Sequence, residues 1–115
     1  MALDEESHQL FVATRSPALL IVYDTRSGKE IARVPVCGDS DDLFFDHARD
    51  QLYVVCGTGQ VDVLRGEGGQ FERTERVPTA PGARTGLFVP SLSMLFVAAP
   101  ARGESMAEIR AYRIP

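Results

Sequence analysis

The chain has 115 residues, 44% hydrophobic and 24% charged, the balance of one globular domain rather than of a disordered segment. Twelve Lys and Arg against sixteen Asp and Glu leave a net charge of −4 and a pI near 5.1, which offers no basic footprint to nucleic acid or to an anionic membrane surface. Apolar runs such as Ala18 to Tyr23 end after about six residues, far short of the roughly 20 that span a bilayer, and no basic-then-apolar leader opens the chain.

The chain order begins with a short strand at Ala2-Leu3-Asp4-Glu5, a polar turn through Gln9 and a second strand at Leu10-Phe11-Val12. A third strand is predicted over Leu19 to Asp24. A fourth follows over Glu30 to Val36, after the turn Asp24-Thr25-Arg26-Ser27-Gly28-Lys29, which has the Asp start and late Gly of a type I turn closed by a left-handed residue. The order then repeats: Leu43-Phe44-Phe45-Asp46, the turn His47 to Gln51, Leu52-Tyr53-Val54, the hairpin turn Gly57-Thr58-Gly59, Val61 to Arg65, the link Gly66-Glu67-Gly68-Gly69, and Phe71 to Pro78. It starts a third time with Leu87-Phe88-Val89-Pro90, a turn at Ser91-Leu92-Ser93, Leu95-Phe96-Val97 and Glu108 to Arg113, with no fourth strand after it.

The triplets starting at Leu10, Leu52 and Leu95 lie 42 and 43 residues apart, and a period of this size marks an array. The repeats run approximately over 1–42, 43–86 and 87–115 within a single domain. Pro35 and Pro78 cannot donate to a ladder, so each fourth strand is expected at a sheet edge, with its Arg and Glu side chains facing outward. No segment of ten residues shows a capped 3.6 period, so helix is expected to be nearly absent. Four-stranded antiparallel sheets at this spacing predict an all-β chain of β-propeller blades, about 2.75 per chain. Equivalent strand positions in the three repeats place Leu10, Val12, Ile21, Val22, Phe44, Leu52, Val54, Val63, Phe88, Leu95, Val97 and Ile109 mostly in the core.

Leu10-Phe11-Val12, Ile21-Val22-Tyr23-Asp24-Thr25, Gly28-Lys29, Ile31 and Val34-Pro35-Val36-Cys37-Gly38 resemble the YVTN-type repeat of the YncE-like bacterial β-propeller family; the pattern departs only in the Cys before the last Gly. The resemblance covers most of the chain, more loosely in the second and third repeats. It implies binding or scaffold roles rather than a fixed chemistry, and longer relatives that often carry an export signal. The compartment of this chain is left open. Counted outward from the axis as A to D, the strands read A-B-C-D, A-B-C-D, A-B-C, less than half of a complete ring. Such an arc leaves two apolar faces to be covered. The expected partner is therefore the chain itself, a dimer before a trimer, with a protein or small polar ligand as a further partner and no nucleic acid or membrane.

Asp39, Asp41 and Asp42 form the one dense acidic cluster, in the connection between the first two repeats, and Arg84 stands in the next such connection. Three carboxylates supply the oxygen donors that a cation or amine would take; with Arg84 beside them they suit a polar ligand, or they serve as local caps and surface ion pairs. They are the candidate ligand-binding residues, with no catalytic residue, metal site or cofactor expected. His8 and His47 are read as turn histidines in separate repeats. No serine has a neighbouring histidine in a nucleophile motif. Gly57-Thr58-Gly59 precedes no helix and so is no phosphate loop. Cys37 and Cys56 lack metal-site spacing and read first as small buried hydrophobes; both fall toward the same end of the sheets, and a disulfide would require Cα atoms within about 7 Å. A non-enzymatic binding module is the expected function. The alternatives are a piece of a propeller enzyme holding a metal or polar ligand at the acidic mouth, and a truncated or engineered propeller piece with no function of its own, a reading favoured by Met1 falling inside a strand.

Overall fold

Strands form wherever β-branched and aromatic residues alternate between two buried destinations. The computed structural model describes residues 1–67 and 69–115. The first sheet holds β1 (Ala2–Asp4), β2 (Gln9–Arg15), β3 (Ala18–Asp24) and β4 (Glu30–Pro35), paired antiparallel in chain order. The second repeats this order with β5 (Ser40–Asp46), β6 (Gln51–Cys56), β7 (Gln60–Glu67) and β8 (Gln70–Pro78). The third has β9 (Thr85–Val89), β10 (Met94–Ala99) and β11 (Glu108–Arg113). Among the described residues the helical content is one 3-10 turn, Pro90–Leu92. The predicted link over Gly66 to Gly69 includes Gly68, which lies outside the described residues. Pro35 and Pro78 end β4 and β8, which are sheet edges as expected.

The second sheet lies between the other two, and β6 shows why the sheets stack. Its residues Leu52, Val54 and Cys56 join Phe11, Leu20, Val22 and Leu64 in one buried cluster. The alternate residues Tyr53 and Val55 join Val61, Leu95 and Val97 in another. A strand buried on both faces needs apolar side chains at consecutive positions, and Leu52-Tyr53-Val54-Val55-Cys56 supplies five, all buried.

The outer sheets have one neighbour each, which corrects part of the expected core. Ile109 is 67% exposed, because it pairs with Ala98 on the face of the third sheet that points away from the second. Leu10 and Val12 are only half-buried, while Phe11 between them is fully buried: the triplet's aromatic member turns inward and its Leu and Val face away. Phe44, Val63 and Phe88 are also half-buried, packed at the margin of the second cluster.

Candidate functional site

The connection from β4 to β5 crosses from the first sheet to the second and is fastened at every step. Cys37 and Cys56 form a disulfide with Cα atoms 5.9 Å apart, which corrects the reading of two separate small hydrophobes. The bond ties the end of the first sheet to the end of β6. The Cys37 N–H donates to Asp62 Oδ2 at 2.8 Å, and the Gly57 N–H donates to the Asp39 carbonyl at 2.8 Å. Asp39 itself adopts a left-handed φ of 57°, a conformation Asp tolerates better than most side chains.

The four candidate residues come together at this crossing. Arg84 Nη2 donates to Asp39 Oδ2 at 2.7 Å, and Arg15 Nε lies 3.6 Å from Asp39 Oδ1. Arg15 also donates to Asp41 through Nη2, while its Nε donates to the Ser40 carbonyl at 3.1 Å. Asp42 Oδ2 accepts the Gly86 N–H at 2.7 Å, reaching the third sheet. Gly57 makes this approach feasible, since a Cβ there would overlap the Asp39 carboxylate and press on Arg84. All three carboxylates are thus engaged by protein donors, and two arginines offset their charge. A cation at Asp39 or Asp41 must compete with a guanidinium, so the cluster's evident chemistry is to join the sheets, through partly exposed ion pairs at Asp39 and Asp41 and a backbone hydrogen bond at Asp42. Among the described residues no three His, Cys, Asp or Glu side chains converge as metal ligands.

The two most deeply buried carboxylates, Asp62 and Asp46, were not singled out by the sequence. Asp62 is completely buried, and Arg76 donates Nε to its Oδ1 at 2.7 Å and Nη2 to its Oδ2 at 2.9 Å. The parallel fork satisfies both oxygens and raises the Arg76 pKa above its ordinary value. Arg76 therefore folds over Asp62 instead of pointing outward as expected for this strand. Asp46 is 1% exposed and accepts from Tyr53 Oη at 2.6 Å and from Arg49 Nη1 at 3.1 Å. Burial, then the bond to Asp46, push the Tyr53 phenol above its usual pKa. Arg49 also donates to Ser93 Oγ at 3.0 Å and to the Pro115 carbonyl at 3.0 Å, holding the chain's last residues to the second sheet. The signal for Asp62 was a lone charge in the alternation Val61-Asp62-Val63, answered by Arg76 directly across the ladder.

His47 is exposed, with Nε2 2.8 Å from Glu6 and Nδ1 3.8 Å from Asp4. His8 is a turn residue at φ 56°. Comparison with known proteins finds no family model and no curated protein that matches this sequence. Function therefore has to be argued from geometry.

Proposed function

We propose that the chain is a non-enzymatic β-propeller binding module of the YncE-like type, whose copies join head to tail to complete a ring. The observation carrying this reading is the facing of the repeated triplet. Phe11 packs toward Leu52 and Val54 of the next sheet, and Tyr53 packs toward Leu95 and Val97 of the one after. Phe96, the third member, alternates with the inward Leu95 and Val97, so it lies on the outer face of the third sheet. Exposed Leu87 and half-buried Phe96 pair there across the ladder. At the other end of the stack Leu10 and Val12 occupy the positions of Leu52 and Val54, with no sheet against them; Leu3 beside Leu10 is 51% exposed.

The Phe96 face of one copy is thus the chemical counterpart of the Leu10–Val12 face of another, by the same pairing used twice inside the chain. Such a contact is heterologous, and it ends in a closed ring if the rotation per sheet allows. Two copies bring twice the eleven strands of one chain, near the roughly 24 of a six-bladed ring. The variants Leu10→Asp and Phe96→Asp test this by sedimentation: each alone should be monomeric, and their equimolar mixture should regain a dimer, because each retains the face the other has lost. A mixture that stays monomeric beside a dimeric parent would refute the pairing of these two faces.

A further inference from the structure

The two crossings between sheets occupy equivalent places in the repeat, and only the first carries a covalent bond. Cys37 stands two residues beyond Pro35 at the end of β4, as Ala80 stands two beyond Pro78 at the end of β8. Cys56 closes β6 four residues after Leu52, as Ala99 closes β10 four after Leu95. Cys37 and Cys56 thus hold the places that Ala80 and Ala99 hold at the second crossing, where both alanines belong to the apolar packing of the second cluster. A small apolar side chain is enough to fill that space. What cysteine adds at the first crossing is the bond.

Both partners of that bond are shut in. Cys37 is 3% exposed and Cys56 is fully buried, in one cluster with Val36, Leu43 and Val54. Thiol–disulfide exchange needs a thiolate to reach one of the sulfurs, and the segment that carries Cys37 is fastened over the end of β6. The Cys37 N–H is held by Asp62, the Gly57 N–H donates to the Asp39 carbonyl, and Thr58 Oγ1 donates to the Gly38 carbonyl at 3.1 Å while its methyl packs against Gly38. Reduction therefore has to wait for this crossing to lift away. A sensor disulfide, which must cycle, needs exposed sulfurs instead. We infer that Cys37–Cys56 is formed once, during folding, and then sealed, and that the chain works in an oxidising compartment, where such bonds are made and persist. The oxidant is a disulfide, of a thiol–disulfide oxidoreductase or of a small thiol. One S–S bond forms between Cys37 and Cys56, the donor's S–S bond breaks, and two electrons and two protons leave on the donor as two thiols. That donor meets the chain before the crossing closes, while both sulfurs can still be reached. A chain that never joins a ring is sealed in the same way.

Two measurements on the full chain test this. In millimolar dithiothreitol at neutral pH, followed by alkylation and mass spectrometry, the folded chain should lose the bond at least about a hundredfold more slowly than the same chain in denaturing urea. Thr58→Ala keeps both cysteines but loosens the crossing, and should speed reduction of the folded chain about fivefold. Equal rates with and without urea, or a rate that Thr58→Ala leaves unchanged, would overturn the sealing. For the compartment, cells that make the chain natively are lysed into acid and N-ethylmaleimide, which blocks exchange and labels free thiols. Most of the chain should be recovered with Cys37 and Cys56 joined and neither labelled. Recovery of most of it with both cysteines labelled would place the chain among reduced proteins and overturn the inference.

Discussion

The two seams of the stack are built from the same repeat and differ in how they close. The seam between the first and second sheets sets four strands against four, and it is locked by the Cys37–Cys56 disulfide and the buried Asp62–Arg76 pair. The seam between the second and third sets four against three. It relies on the Asp46–Tyr53–Arg49 network and on two reaches from β11, Arg110 Nη1 to the Thr79 carbonyl at 2.7 Å and Tyr112 Oη to the Pro78 carbonyl at 3.4 Å. The apolar alternation suffices to stack the sheets in both cases. At the first seam the fourth strands complete the closure, whereas at the second the side chains of Arg110 and Tyr112 reach to the end of β8 and a cleft remains beside them.

Removing the lock of the first seam should have the largest effect. Arg76→Ala leaves the Asp62 carboxylate buried with only the Cys37 N–H, and should cost about 3–5 kcal/mol in a urea melt; a loss under about 1 kcal/mol would show that Asp62 is reached by water and that the seams are equally soft. Opening the disulfide by Cys37→Ser with Cys56→Ser should cost about 3 kcal/mol through the freed chain entropy. Exchange of amides in β1 to β4 should rise before those in β9 to β11, and the reverse order would break the comparison.

On the second seam, Tyr53→Phe removes a donor from buried Asp46 and should cost about 1–3 kcal/mol. Because the folded phenol keeps its proton to higher pH than an unfolded tyrosine, this contribution is intact below about pH 10 and is lost as pH rises above it. The parent should therefore lose stability on alkaline titration more steeply than the Phe variant, and identical slopes would remove the Tyr53 proton from the account. Asp41→Asn breaks only the partly exposed pair with Arg15 and should cost at most about 1 kcal/mol. A larger loss would mean that the acidic crossing, rather than the disulfide beneath it, holds the first seam.

Strand order and sheet membership were legible because they depend on alternation and turn chemistry, both local. Leu52-Tyr53-Val54 announces a strand wherever it sits. Which face of that strand finds a neighbour is decided elsewhere in the chain, so Leu52 is buried while its counterpart Leu10 is half-exposed and Ile109 stands in the open. The pairing of Asp39 with Arg84 was among the readings of the two connections, since both were placed at one end of the sheets. The Asp62–Arg76 fork was missed because the run Glu72-Arg73-Thr74-Glu75-Arg76 looks like a solvated edge. A register shift between Val63 and Leu64 changes which residues of β8 lie across from β7, and no residue type in the sequence marks it. The disulfide was left open for a related reason: spacing bounds the distance between two cysteines, but only the crossing of the β4–β5 connection over the end of β6 brings them together.

The central claim is that the outer faces bearing Leu10 and Phe96 are halves of one interface. Light scattering on the gel-filtered chain at micromolar concentration tests it most directly. The account predicts a particle of twice the 12.6 kDa chain mass. A 12.6 kDa monomer that melts sharply and binds no hydrophobic dye would contradict it, since both faces would then be stable in water without a partner.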